Sequence, residues 1–185
     1  MKFIDLFAGL GGFHKALHEL KHECVFASEL DPTLREVYKT NWGIEPKGDI
    51  KKIVEKDIDS IPPHDILCAG FPCQPFSKAG KQEGRADEER GTLFDEIVKI
   101  LAHRTPTFFI LENVPFIRQH DNESTWKYMH GELTKLGYEV DHEIYSPQDF
   151  GIPQHRKRIF IVGSLKGLEH FSFQEIDEQK SSLID

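Results

Sequence analysis

The residue best suited to covalent chemistry in this chain is a cysteine held between prolines. Cys73 lies in Gly70-Phe71-Pro72-Cys73-Gln74-Pro75-Phe76-Ser77. Pro72 and Pro75 stiffen the backbone around it and fix the direction of the sulfur. Free cysteine is ordinarily a small buried hydrophobe, and Cys24 and Cys68, each inside an apolar run, take that reading. Cys73 instead follows the end of such a run, which makes it a candidate nucleophile, active as the thiolate. Metal binding is not expected, because Cys68 and Cys73 lack the paired spacing of zinc ligands and no histidine pair is placed to complete a set.

A second group of residues suits a nucleoside. Asp5-Leu6-Phe7-Ala8-Gly9-Leu10-Gly11-Gly12-Phe13 reads as a strand, a glycine turn and a helix start, and glycines let the backbone take positive φ and approach a ligand closely. Glu29 ends the next apolar run, where an acid can accept both hydroxyls of a ribose. Asp49 ends a weak third strand and could accept the amino group of an adenine. The spacing Gly9-x-Gly11-Gly12 departs from the dinucleotide pattern, and Phe7, Leu10 and Phe13 crowd the turn. A pyrophosphate needs free amides at a helix N-terminus, so a compact adenosine without phosphates, such as S-adenosylmethionine, suits this turn better.

The elements that must position these groups follow from hydrophobic periodicity. Strands are predicted over residues 3–7, 24–27, 46–48, 65–69, 107–111, 138–145 and 159–162. Helices are predicted after the glycine turn through Phe13, Ala16, Leu17 and Leu20, and after the Asp31-Pro32 start through Leu34, Val37 and Tyr38. Two more follow, through Leu93, Ile97, Ile100 and Leu101, and over residues 124–136. Strands separated by helices of this length imply an α/β fold, a doubly wound, mostly parallel sheet with helices on both faces. Ligands bind such sheets outside the carboxyl ends of the strands. Gly9 to Gly12, Glu29, Asp49, Cys73 and Glu112 all fall at those ends.

Composition sets the bounds. A chain of 185 residues with 38% hydrophobic and 29% charged residues suits one globular domain. Its apolar runs are too short to cross a membrane. Asp5 interrupts what would be a signal peptide's apolar segment, so a cytoplasmic location is expected. Three cysteines without framework spacing agree with a reducing compartment. The net charge of −8 argues against nucleic-acid binding over the whole surface but leaves room for one concentrated basic site.

Taken in order, the motifs resemble the catalytic domain of cytosine-C5 DNA methyltransferases of the bacterial restriction–modification type. They are Asp5-Leu6-Phe7-Ala8-Gly9-Leu10-Gly11-Gly12, Glu29, Gly48-Asp49-Ile50, Gly70-Phe71-Pro72-Cys73-Gln74, Glu112-Asn113-Val114 and Gln154-His155-Arg156-Lys157-Arg158. The likeness runs from residue 1 to about 163 and implies a Rossmann-like methyltransferase domain there, followed by a polar tail, 164–185. It implies S-adenosylmethionine as cofactor, with S-adenosylhomocysteine as product and no metal. The cofactor would be held by Asp5, Phe7, Gly9, Leu10, Gly11, Gly12, Glu29, Leu30, Asp49, Ile50, Pro72 and Leu93. Cys73, Glu112, Arg156 and Arg158 would be catalytic. Double-stranded DNA, with its target cytosine flipped out of the stack, would be contacted by Gln74, Ser77, Lys78, Lys81, Arg85, Arg90 and Gln154. The 77–91 segment resembles the family's mobile active-site loop.

The family continues with a target-recognition domain, a returning helix and an Asn-containing motif, none of which is present in these 185 residues. A truncated enzyme, one subunit of a split methyltransferase with a companion chain, and a relic all remain open. An NAD-dependent oxidoreductase would share the glycine turn and Glu29 but leave Pro72-Cys73-Gln74 and Glu112-Asn113-Val114 unexplained. A non-catalytic DNA-binding module and an RNA cytosine methyltransferase are the other readings.

Overall fold

A computed structural model describes residues 1–72 and 92–176. The short apolar runs form a six-stranded sheet in the order β2-β1-β3-β4-β6-β5, with β1 Lys2–Leu6, β2 Glu23–Ser28, β3 Ile66–Gly70, β4 Phe108–Asn113, β5 Glu139–Tyr145 and β6 Arg158–Ser164. β1 to β4 are parallel, while β6 runs antiparallel to both β4 and β5. The chain moves outward from β1 to β2 and then crosses to β3 on the other side of β1. That reversal opens a crevice at the carboxyl edge. The expected α/β, mostly parallel sheet is what the chain forms, and its one antiparallel strand has a simple cause. A short connection with one 3-10 turn, Pro147–Phe150, and no crossover α-helix joins β5 to β6, so the chain turns straight back.

The helices are α1 Gly12–Glu19, α2 Pro32–Trp42, α3 Ile50–Asp57, α4 Leu93–Arg104 and α5 Ser124–Lys135. Strand alternation divides the core between the two faces. Ile4, Leu6, Leu67, Ala69, Phe109 and Leu111 face α3, α4 and α5, where Val54, Ile97, Ile100, Leu101, Met129 and Leu133 meet them. On the other face, Phe3, Ile66 and Cys68 take Leu17 of α1. Local chemistry sets the helix boundaries. Asp31 caps α2 through the Thr33 and Leu34 amides, and Pro32 is its first residue. Thr92 and Asp95 form a reciprocal capping box at the start of α4.

Two expectations are corrected here. Residues 46–48 do not form a strand; one parallel bridge, Ser28 with Lys47, is all that joins them to the sheet. Pro46 has no amide to give a ladder, and one such bridge cannot extend. Asp49 therefore does not end a strand. It caps α3, accepting from the Lys51 amide at 3.0 Å. That helix went unpredicted, although Ile50, Ile53 and Val54 carry its spacing. The described part of the 164–185 tail lies back on the sheet edge, with the Tyr145 hydroxyl donating to the Gln174 carbonyl at 2.8 Å. Among the described residues, no helix is long and apolar enough to cross a membrane.

Candidate active site

The carboxyl ends of β1 to β4 and the start of β6 surround a cleft of about 460 Å³. Its nucleoside-like half is walled by Phe7, Glu29, Leu30, Asp49, Ile50, Pro72 and Leu93, all of them among the expected cofactor residues. Glu29 is held rigidly for its part. Oε2 accepts the Gly9 amide at 2.8 Å, and Oε1 accepts the Asp31 amide at 2.9 Å. Each oxygen keeps a second lone pair for an incoming donor. Two hydroxyls beside Glu29, and a flat apolar ring among Phe7, Leu30 and Ile50, are what this wall can receive.

Asp5, Gly9, Leu10, Gly11 and Gly12 do not line the cleft. Asp5 is buried on the α1 and α2 side of β1 and accepts from the Tyr38 hydroxyl at 3.3 Å. Strand alternation explains this: Ile4 and Leu6 take one face, so Asp5 must take the other. Burial drives the Asp5 pKa from 3.8 up to about 8, with hydrogen bonds from Tyr38 and the His14 backbone pulling it partly back. Between those two values the folded chain holds a proton that the unfolded chain releases, so stability falls as pH rises through that window. Asp5→Asn is expected to remove this slope. Thermal melts from pH 5 to pH 8.5 should show a falling midpoint for the parent chain and a flatter one for the variant.

The other half of the cleft carries Glu112, Arg156 and Arg158. Glu112 is near the end of β4 and Arg158 begins β6. Because β6 is antiparallel to β4, its first residue comes to the edge where β4 finishes. The Arg158 Nε then donates to Glu112 Oε1 at 2.7 Å, a charge-assisted bond. Burial raises the Glu112 pKa above the usual carboxylate value, and the guanidiniums of Arg158 and Arg156 offset part of that rise. A carboxyl that burial makes hold its proton to higher pH than a free one is suited to proton delivery. Gly70 pairs with Glu112 in the sheet, and a Cβ there would sit 3.3 Å from Glu112 Oε2, so glycine leaves the carboxylate room.

Asn113, which the sequence reading left without a role, ties the two halves together. Its buried side chain donates from Nδ2 to the Phe71 carbonyl at 2.9 Å and accepts the Val114 amide at 2.8 Å. The exit of β3, just before Pro72, is thereby fastened to the exit of β4. A polar residue ending a strand of alternating burial was the available signal. Arg156 is anchored by its backbone amide on the buried Ser146 Oγ at 3.2 Å. Gln154 is exposed and stands off the cleft wall. Cys73, Gln74, Ser77, Lys78, Lys81, Arg85 and Arg90 lie outside the described residues. Among the described residues, no group of histidine, cysteine and acidic side chains could hold a metal ion.

Residues 1–185 match the family described as C-5 cytosine-specific DNA methylase. The chain is 50% identical over 172 residues to the Type II methyltransferase M.HaeII of Haemophilus aegyptius, covering 93% of this chain and 52% of that one. It is 47% identical over 173 residues to the Type II methyltransferase M.MspI of Moraxella sp, covering 93% and 40% respectively. Among solved structures, S. pombe Dnmt2 methyltransferase superposes with a TM-score of 0.73 at 26% identity, covering 95% of this chain and 53% of that chain. The chain spans about half the length of the curated relatives it matches.

Proposed function

Because this chain belongs to the C-5 cytosine-specific DNA methylase family, we propose that it transfers a methyl group from S-adenosylmethionine to C5 of a cytosine in double-stranded DNA. The observation that supports this most directly is the joining, in one cleft, of the Glu29 wall to the Glu112–Arg158 pair. A base and a nucleoside cofactor could meet there. The fit of the cofactor rests on the amide-held Glu29 carboxylate for the ribose, on Asp49 for the adenine amino group, and on Phe7, Leu30, Ile50 and Leu93 as apolar walls. When bound, S-adenosylmethionine supplies an electrophilic methyl carbon.

C5 of cytosine is too weak a nucleophile to be methylated unaided. In this reading the Cys73 thiolate adds to C6, which turns C5 into an enamine carbon. Glu112 hydrogen-bonds N3 and the amino group and delivers a proton to N3 as electrons move into the ring. Arg158 holds O2 while keeping Glu112 oriented, and Arg156 holds the base or the adjoining DNA backbone. Once C5 has taken the methyl group, N3 returns its proton to Glu112, and loss of the C5 proton to a water expels Cys73 and restores the ring. The target base must leave the duplex for this, at a cost of a few kcal/mol. The Type II names of the relatives support a role in a restriction–modification system. In this reading a further segment or companion chain reads the DNA sequence.

The test is transfer of labelled methyl to mixed-sequence DNA, run beside calorimetric titration with S-adenosylhomocysteine. Binding of the nucleoside by the chain, with transfer abolished by Cys73→Ser, is expected. Transfer that survives Cys73→Ser would overturn the nucleophile, and no nucleoside binding at millimolar concentration would overturn the cofactor.

A further inference from the structure

The glycine turn that presents Gly9 to Glu29 is closed by the Gly11 amide donating to the Ala8 carbonyl at 2.8 Å. Gly9 and Gly11 both take left-handed backbone, with φ of 54° and 88°, and Leu10 between them is 60% exposed. Ala8 at its base is buried against Ala27 and Tyr38, but the exposed Leu10 side chain does nothing to steady the tip, which a neighbour steadies instead. The neighbour here is Trp42, the last residue of α2. Its indole Nε1 donates to the Leu10 carbonyl at 3.2 Å. The ring is so close over Gly11 that a Cβ there would fall 2.2 Å from Nε1. A reason for glycine at position 11, beyond its φ, is therefore this indole.

Trp42 is held in turn. It stacks on the His14 imidazole with centroids 4.4 Å apart and planes 16° apart. His14 is buried and its Nδ1 lies 2.7 Å from the Tyr38 hydroxyl. That hydroxyl donates to Asp5 Oδ2, so it accepts from a His14 that carries its proton on Nδ1. The relay runs from β1 through α2 and α1 to the turn, and none of its members lines the cleft.

We propose that Trp42, locked by His14 and Tyr38, is a positioning residue that holds the glycine turn at the height where the Gly9 amide fixes Glu29 for a nucleoside. This rests on the reading of the Glu29 wall as the cofactor site. The turn acts on Glu29 through the Gly9 amide, and Trp42 acts through the turn.

Trp42→Phe keeps an aromatic ring on His14 and deletes the N–H donor, so the chain should still fold. Trp126→Phe, on α5, is the control. Amide hydrogen exchange of the 7–12 segment, measured without ligand, reads the turn by itself. Titration with S-adenosylhomocysteine reads Glu29. In Trp42→Phe, exchange of that segment is expected to speed up about fivefold and the Kd to rise about fivefold, the effect of one net hydrogen bond. Trp126→Phe should leave both unchanged. Exchange and affinity both within twofold of the parent would overturn the proposal. Faster exchange at unchanged affinity would overturn the link from the turn to Glu29. Failure of the parent chain to bind the nucleoside would overturn the cofactor reading and with it that link, while the exchange measurement still decides whether Trp42 holds the turn.

Discussion

Glu112→Gln is expected to lower methyl transfer by ~10²–10⁴-fold, the range for losing a positioned proton donor, while S-adenosylhomocysteine affinity stays within about twofold. Glutamine can still accept from the Arg158 Nε, which now lies 2.7 Å from Glu112 Oε1, so the wall keeps its shape. Its amide can donate a hydrogen bond to N3 but cannot give up a proton to it. The pH profile separates the two roles. Burial raises the Glu112 pKa, so the proton-bearing form persists to higher pH than for a free carboxyl, and the rate falls as that proton is lost. The residual rate of the glutamine variant should lack this limb. Transfer within tenfold of the parent chain would remove Glu112 from the chemistry.

The largest effect on stability is expected at Gly163, far from the cleft. Gly163 pairs with Phe109 in β4 and with Val140 in β5. A Cβ there would lie 2.1 Å from the Phe109 ring. Phe109 has no free space to enter, being fully buried and packed edge-on against Tyr138 at 5.0 Å. Gly163→Ala is therefore expected to cost about 3 kcal/mol, at the upper end of the overpacking range. For a chain of this size that is roughly 6–12 °C in Tm. Adding Phe109→Leu, which costs stability alone, should recover part of the loss, giving a coupling of about 1 kcal/mol or more in a double-mutant cycle. Simple additivity would show that the sheet shifts to admit the methyl group.

Local pattern was enough for much of this protein. Short apolar runs of 4–7 residues ending in Gly, Glu or Asn reveal strands whose carboxyl ends share an edge, because periodicity and turn chemistry are local properties. Local pattern placed Glu29 among the site candidates and the family resemblance added Phe7, Leu30, Ile50, Pro72 and Leu93, and all of them wall the cleft. Where one residue competes between two elements, local pattern failed. Asp49-Ile50 reads equally as the end of a strand or as a cap and first turn, and the cap prevails because Ile50 and Val54 can both be buried only on a helix.

Other features depended on contacts between residues distant in sequence. Glu112 and Arg158 are adjacent in motif order only; their pairing required β6 to return antiparallel beside β4. Asp5 belongs to a cofactor motif, yet the strand it sits on turns it away from the cleft and into a buried acid–tyrosine–histidine relay. Trp42 looks like an ordinary helix end until α2 lays it on the glycine turn. A sequence records which groups are available and at what spacing. Which of them meet is decided by strand direction and by the face each side chain takes, and those are settled only when the whole sheet closes its core.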